Sequence, residues 1–170
     1  MFKYLVLENI LTDKECHQII ELYDDFIVEP IEILDCQHTG HNFRNIRLSE
    51  LIFERIKKYI PDNVCEVSHS WYISKFLPNH GSTSKDFDGN VLYEDKISQY
   101  TLLIYLNDNF DDGCTVICDP LFKEKIKIKP KTGSILLLNQ DILYYTEKPQ
   151  CNIKYIIKSD LMTTTNSKCY

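Results

Sequence analysis

From Val64 to Met162 the chain is a run of short β-type segments, and this run limits the fold more than any other feature. "EVSHSWYISKFL" alternates in part between apolar and polar residues, and "YTLLIYLN" is β-rich and nearly all apolar. "CTVICD" and "KIKIK" are shorter, "GSILLLN" follows a Pro-Lys-Thr-Gly turn, and "IKYIIKSDL" closes the set. Turn-forming stretches at Pro78–Gly81, Asp86–Asn90, Asn107–Gly113 and Pro130–Gly133 separate the segments. Helices set ahead of such strands suggest a small jelly roll whose helices buttress one sheet, an α+β fold that is mainly β.

The helices come from the first third of the chain. After a short strand at Phe2–Leu7, Thr12 and Glu15 form a capping box ahead of Ile19, Ile20, Tyr23 and Phe26 at helical spacing, which predicts a helix from Thr12 to about Phe26. A second helix is predicted from Ser49 to about Ile60, with Leu51, Ile52, Ile56 and Ile60 as its stripe and Pro61 as its stop. Between them, "VEPIEILDCQHTGHNFRNIRL" reads as extended segments and loops. The expected organisation is one domain over 1–162 and a loose tail, "TTTNSKCY", over 163–170.

Composition narrows the function. A chain of 170 residues, 44% of them hydrophobic, buries a core without needing disulfides or metals. A formal charge of −6 gives no global field to hold a polyanion, so nucleic acid is not expected as a partner. The one dense basic run, "KEKIKIKPK" from Lys123 to Lys131, has alternating lysines, as on the solvent face of a strand. The seven cysteines are odd in number and contain no Cys-x-x-Cys pair. Cys114 and Cys118 share a strand face but lie too far apart along it to chelate one ion. The opening "MFKYLVLENILTDKE" is too soon interrupted by charge for a signal peptide, and no later segment is apolar for long enough to span a bilayer. The expectation is a soluble, intracellular, cytoplasmic protein with reduced thiols and no membrane partner.

Several segments, in their order, carry a resemblance: "LENILTDKECHQIIELY", "SQYTLLIYLNDNFDDGCTVICDP", "IKPKTGSILLLNQD" and "NIKYIIKSDLM". Together they make the chain similar to the prolyl 4-hydroxylase branch of the Fe(II)- and 2-oxoglutarate-dependent oxygenases. Its pattern Ser-x-x-Thr-x-x-x-Tyr-Leu-Asn is met by Ser98, Thr101, Tyr105, Leu106 and Asn107. The resemblance implies a double-stranded β-helix, a form of jelly roll, over most of residues 4–162.

It also implies a place for the metal. The family holds iron with two histidines and one carboxylate, leaving open positions for 2-oxoglutarate and dioxygen. Its His-x-Asp falls on Asp86-Phe87-Asp88, so Asp88 matches the carboxylate and Asp86 stands where a histidine belongs. The distal histidine position, ten residues before Lys154-Tyr155, is Tyr144. The basic residue of the cosubstrate pocket falls on Lys158, with Tyr105 as a hydroxyl of that pocket. His80 is the one histidine close enough in sequence to be a candidate substitute ligand. Taken alone, Asp86 and Asp88 beside Gly89 read as turn formers, and Tyr144 as a strand aromatic.

Two carboxylates and a phenol are hard donors, poorly suited to Fe(II). The resemblance therefore implies vestigial metal positions at Asp86, Asp88 and Tyr144, vestigial cosubstrate positions at Lys158 and Tyr105, no catalytic residue and no resident cofactor. The expected role is a silent, protein-binding domain. Similar domains lacking the iron triad occur in large DNA viruses, and the abundance of Ile, Lys, Asn and Asp is compatible with an AT-rich genome. The alternative is an active oxygenase, using Fe(II) and 2-oxoglutarate to hydroxylate a peptidyl proline or similar side chain.

Overall fold

A computed structural model describes residues 3–27, 39–78, 81–121 and 123–165. Strand β1 (Tyr4–Leu7) leads into helix α1 (Asp13–Tyr23), then β2 (Thr39–Arg44) and α2 (Ile46–Ile56). The β-rich part supplies β3 (Val64–Val67), β4 (Ser70–Phe76), β5 (Leu92–Tyr93), β6 (Lys96–Tyr105), β7 (Thr115–Cys118), β8 (Glu124–Ile128), β9 (Ile135–Asn139), β10 (Tyr144–Thr146) and β11 (Lys154–Thr164).

Among the described residues the strands form two sheets. The larger runs β1-β9-β6-β11-β4-β2, with β3 also paired to β11 and β5 to β6, and the smaller runs β10-β7-β8. This is the anticipated double-stranded β-helix. Strand parity builds its two cores. Leu102 and Ile104 of β6, Ile135 and Leu137 of β9, and Tyr155 and Ile157 of β11 face one way and pack with Cys16, Leu48, Ile52 and Ile56 from the helices. Their neighbours Leu103, Tyr105, Leu136, Leu138 and Ile156 face the other way and meet Ile117 of the smaller sheet. The helices thus cover one face of the larger sheet, and the other face is free to form a cleft with the smaller one.

The capping box is present: the Glu15 amide donates to Thr12 Oγ1 at 3.2 Å, and the Thr12 amide donates to Glu15 Oε2 at 2.8 Å. Helix α2 starts earlier than the predicted Ser49, because Asn45 caps it by accepting from the Leu48 amide at 3.0 Å. The Ser49 hydroxyl instead donates to the Ser68 carbonyl and accepts from the Trp71 indole N–H at 3.0 Å. Two members of the expected apolar stripes are exposed: Leu51, whose place Leu48 takes, and Phe26, which stacks on His41. Strand β11 runs to Thr164, so Thr163 and Thr164 are sheet residues, while 166–170 lie outside the described residues.

Strand β8 has its lysines in solvent, as their alternation implied. Lys125 pairs with Asp119 at 3.3 Å and Lys127 with Glu147 at 2.6 Å, which neutralises much of the basic run. The turn before β9 is anchored through Gly133, at φ +73°. Its carbonyl accepts from the amides of Ile10 and Leu11, both at 3.0 Å, and its own amide donates to the Tyr105 carbonyl at 2.9 Å.

Candidate functional site

Between the sheets lies a cleft of about 270 Å³. Tyr72, Ser74 and Phe76 of β4, Leu103 of β6, and Ile156 and Lys158 of β11 form one wall. Thr83, Ser84, Asp86 and Asp88, with Tyr144 and Thr146 of strand β10, supply the rest. Asp86, Asp88, Tyr144 and Lys158 therefore meet in one place, although up to 72 positions separate them in sequence.

The backbone brings them together. Asp86 and Tyr144 form an isolated antiparallel bridge, exchanging amide-to-carbonyl bonds of 3.1 and 3.2 Å. Asp86 is exposed, and its Oδ1 accepts from the neighbouring Phe87 amide at 2.8 Å. Asp88 is more enclosed and saturated with donors. Its Oδ2 accepts from the Thr101 hydroxyl at 2.6 Å and the Tyr144 hydroxyl at 2.8 Å, and its Oδ1 accepts from the Lys158 ammonium.

The electrostatics follow from those contacts. Burial pushes the Asp88 carboxyl up, but the Lys158 charge and the three donated hydrogen bonds more than reverse this and hold it below the ordinary carboxylate range. Burial, reinforced by the Asp88 charge, raises the Tyr144 phenol well above its usual value, so it stays protonated and donates. Asp160, two residues beyond Lys158 on the same strand face, accepts from Gln140 Nε2 at 2.8 Å. Burial raises its pKa, Lys158 opposes this, and Asp88 adds to it.

The remaining expectations fare differently. Tyr105 does not line the cleft: it shares a strand face with Leu103 but sits one step further along β6, fully buried in the inter-sheet core, where it donates to Thr115 Oγ1 at 2.8 Å. His80 lies outside the described residues. Of the described histidines, His17 pairs with Glu21 at 3.2 Å, His41 stacks on Phe26, and His69 meets Arg44 at 3.4 Å, none of them in the cleft.

Sequence reasoning missed Lys154, which shares a strand face with Lys158 and is fully buried. Its ammonium donates to the Gly113 carbonyl and, at 3.4 Å, to that of Glu147, with the Phe76 and Phe110 rings 5.2 and 5.9 Å away. The available signal was its position two residues before Ile156 in the same alternating strand. Burial lowers its pKa to about 7, against the pull of Cys114 and Glu147. The unfolded chain holds this proton to about pH 10.4, so this group's contribution to stability rises with pH above about 7. Lys154→Met is accordingly expected to be most favourable in acid, with its stability relative to wild type falling by about 2 kcal/mol between about pH 6.5 and pH 9. Urea denaturation of both proteins across that range checks it; a pH-independent difference would show that Lys154 stays charged.

The donor set does not fit Fe(II). Asp86, Asp88 and Tyr144 offer only oxygen, the phenol is held protonated, and both Asp88 oxygens already accept hydrogen bonds. Among the described residues no group of three His, Cys, Asp or Glu side chains is placed to hold a metal ion.

The two sheets, the helices on the larger one and the cleft between them define a double-stranded β-helix, a fold shared with solved prolyl hydroxylases. Solved structures with this fold include the viral collagen prolyl hydroxylase of Paramecium bursaria Chlorella virus-1 in complex with 2-oxoglutarate, at 16% identity, TM-score 0.69, and 96% coverage of both chains. A prolyl hydroxylase from Trichoplax adhaerens, in complex with a hypoxia inducible factor oxygen degradation domain peptide fragment, matches at 14% identity and TM-score 0.71, over 95% of this chain and 84% of that one. A Pseudomonas putida prolyl-4-hydroxylase matches at 10% identity and TM-score 0.65, over 94% and 91%. No family model matches the sequence, and no curated protein matches it.

Proposed function

We propose that this chain is a catalytically silent prolyl-hydroxylase-like domain that acts by binding another protein, a host protein if the chain is viral. The observation that carries the silent half is the state of Asp88. The carboxylate at the metal-ligand position is engaged by one ammonium and two hydroxyls, and the flanking positions hold Asp86 and Tyr144 in place of imidazoles. On this reading no Fe(II) or 2-oxoglutarate is resident, and Lys158 and Tyr105 are vestiges of a cosubstrate pocket now engaged with Asp88 and Thr115.

The binding half is supported by what persists after the chemistry: an open cleft, and a fold that in the Trichoplax adhaerens protein is seen with a peptide fragment. The free thiols of Cys16, Cys65, Cys114, Cys118 and Cys151 suit a reducing, intracellular setting, and no helix among the described residues is long and apolar enough to cross a membrane. The second reading, an active oxygenase, is favoured by the 2-oxoglutarate seen in the viral collagen prolyl hydroxylase of the same fold.

Loading purified protein with Fe(II) under argon, then adding 2-oxoglutarate and oxygen, separates the two. The expected result is substoichiometric iron and no succinate above the protein-free control. Stoichiometric iron with 2-oxoglutarate turnover would establish the oxygenase instead.

A further inference from the structure

We infer that Lys158 is a built-in cation, which closes the cleft to hard divalent ions as well as to iron. The inference rests on the silent reading and adds a cause that the missing histidines do not supply. Oxygen donors exclude Fe(II) poorly matched to them, yet the same donors suit Mg²⁺ or Mn²⁺. The Thr101 and Tyr144 hydroxyls both bond Asp88 Oδ2, at 2.6 and 2.8 Å, and Asp160 stands two residues along β11 from Lys158 on the same strand face. One carboxylate and two neutral hydroxyls meeting at one oxygen are donors of the kind a hard cation takes.

What fills it is the chain's own ammonium. Lys158 bonds Asp88 Oδ1, which seats one fixed positive charge on the carboxylate that an incoming cation would need. An incoming divalent ion would have to displace a tethered ammonium whose local concentration no free ion matches, and would meet its repulsion once displaced. Strand register fixes the lysine in place: Lys158 is paired to Tyr72 on β4 and to Leu103 on β6, the neighbours of β11 on either side in the sheet.

The test is Mn²⁺ binding, followed by electron paramagnetic resonance and calorimetry, in the wild type, Lys158→Ala, Lys158→Arg, and Lys158→Ala combined with Asp88→Asn. Lys158→Ala is expected to bind one Mn²⁺ roughly tenfold or more tightly than wild type. Lys158→Arg, which keeps the charge, should behave as wild type, and Asp88→Asn should abolish the gain. Circular dichroism checks folding, and if Lys158→Ala is unfolded the neutral Lys158→Gln takes its place. Wild type binding Mn²⁺ as tightly as the neutral variant, or a folded neutral variant with no gain, overturns the inference. Neither result touches the silent reading, which falls only on iron-dependent 2-oxoglutarate turnover by the wild type.

Discussion

Asp86→His with Tyr144→His is expected to leave Fe(II) affinity within about tenfold of wild type, and adding Lys158→Ala to raise it by a further hundredfold or so. The two histidines would stand on the Asp86–Tyr144 bridge, opposite one another, with Asp88 as the carboxylate of a facial triad. The ammonium on Asp88 Oδ1 is what the double variant leaves behind. A divalent ion a few ångströms from a fixed positive charge loses several kcal/mol even at an effective dielectric of about 20, enough to cancel much of what two imidazoles add. Because imidazole binds metal only when neutral, the gain of the triple variant should fade below about pH 6.5. Anaerobic equilibrium dialysis with iron analysis reads all three proteins. A double variant that equals the triple one would show that Lys158 is no obstacle.

Gly133→Ala is expected to destabilise the fold by at least about 3 kcal/mol, lowering the melting temperature by roughly 10 °C. A Cβ there would lie 2.0 Å from the Leu11 carbonyl oxygen, a backbone atom that cannot rotate away, at a φ of +73° that already disfavours alanine. Relief requires parting the β8–β9 turn from the chain just ahead of α1, and with it the two amide bonds to the Gly133 carbonyl. Gly89 is the matched control: its φ is +70°, and nothing lies within 4 Å of its would-be Cβ. Gly89→Ala should therefore lose only the conformational part, about 1 kcal/mol. Equal losses from the two substitutions in calorimetry would mean that the contact with Leu11 relaxes at no cost.

The parts of this protein that were legible in its sequence are those written in local patterns. The Thr12–Glu15 box, the alternation of "KIKIK" and the apolar strands β6 and β9 each carry their signal within a few residues. Strand β2 did not, because "TGHNFR", which among the described residues pairs only to β4 at the edge of the sheet, has a mixed polar composition with no apolar alternation to detect. The start of α2 was hidden because Asn45 and Ser49 are both good caps, and tertiary contacts decided between them by giving the Ser49 hydroxyl to Ser68 and Trp71. At the site, the resemblance put Asp86, Asp88, Tyr144 and Lys158 in the cleft. It carried no information on the bond between Lys158 and Asp88, 70 positions apart, which depends on sheet register and on which way two side chains turn. The bond of Tyr105 was out of reach for a related reason: a family position identifies a residue, whereas its hydroxyl goes to whatever partner, here Thr115, the local packing brings near.

The ammonium seated on Asp88 also bears on when the cleft is formed. A pocket organised around an exchangeable metal exists only while the cell supplies that metal in the right oxidation state, and it empties under chelation or oxidation. Here the positive charge is translated with the chain and arrives with the last strand of the sheet. On the proposed reading the binding surface is thus complete as soon as the chain has folded, and its occupancy by a partner follows the partner's abundance alone, indifferent to iron starvation, to hypoxia and to the supply of keto acids.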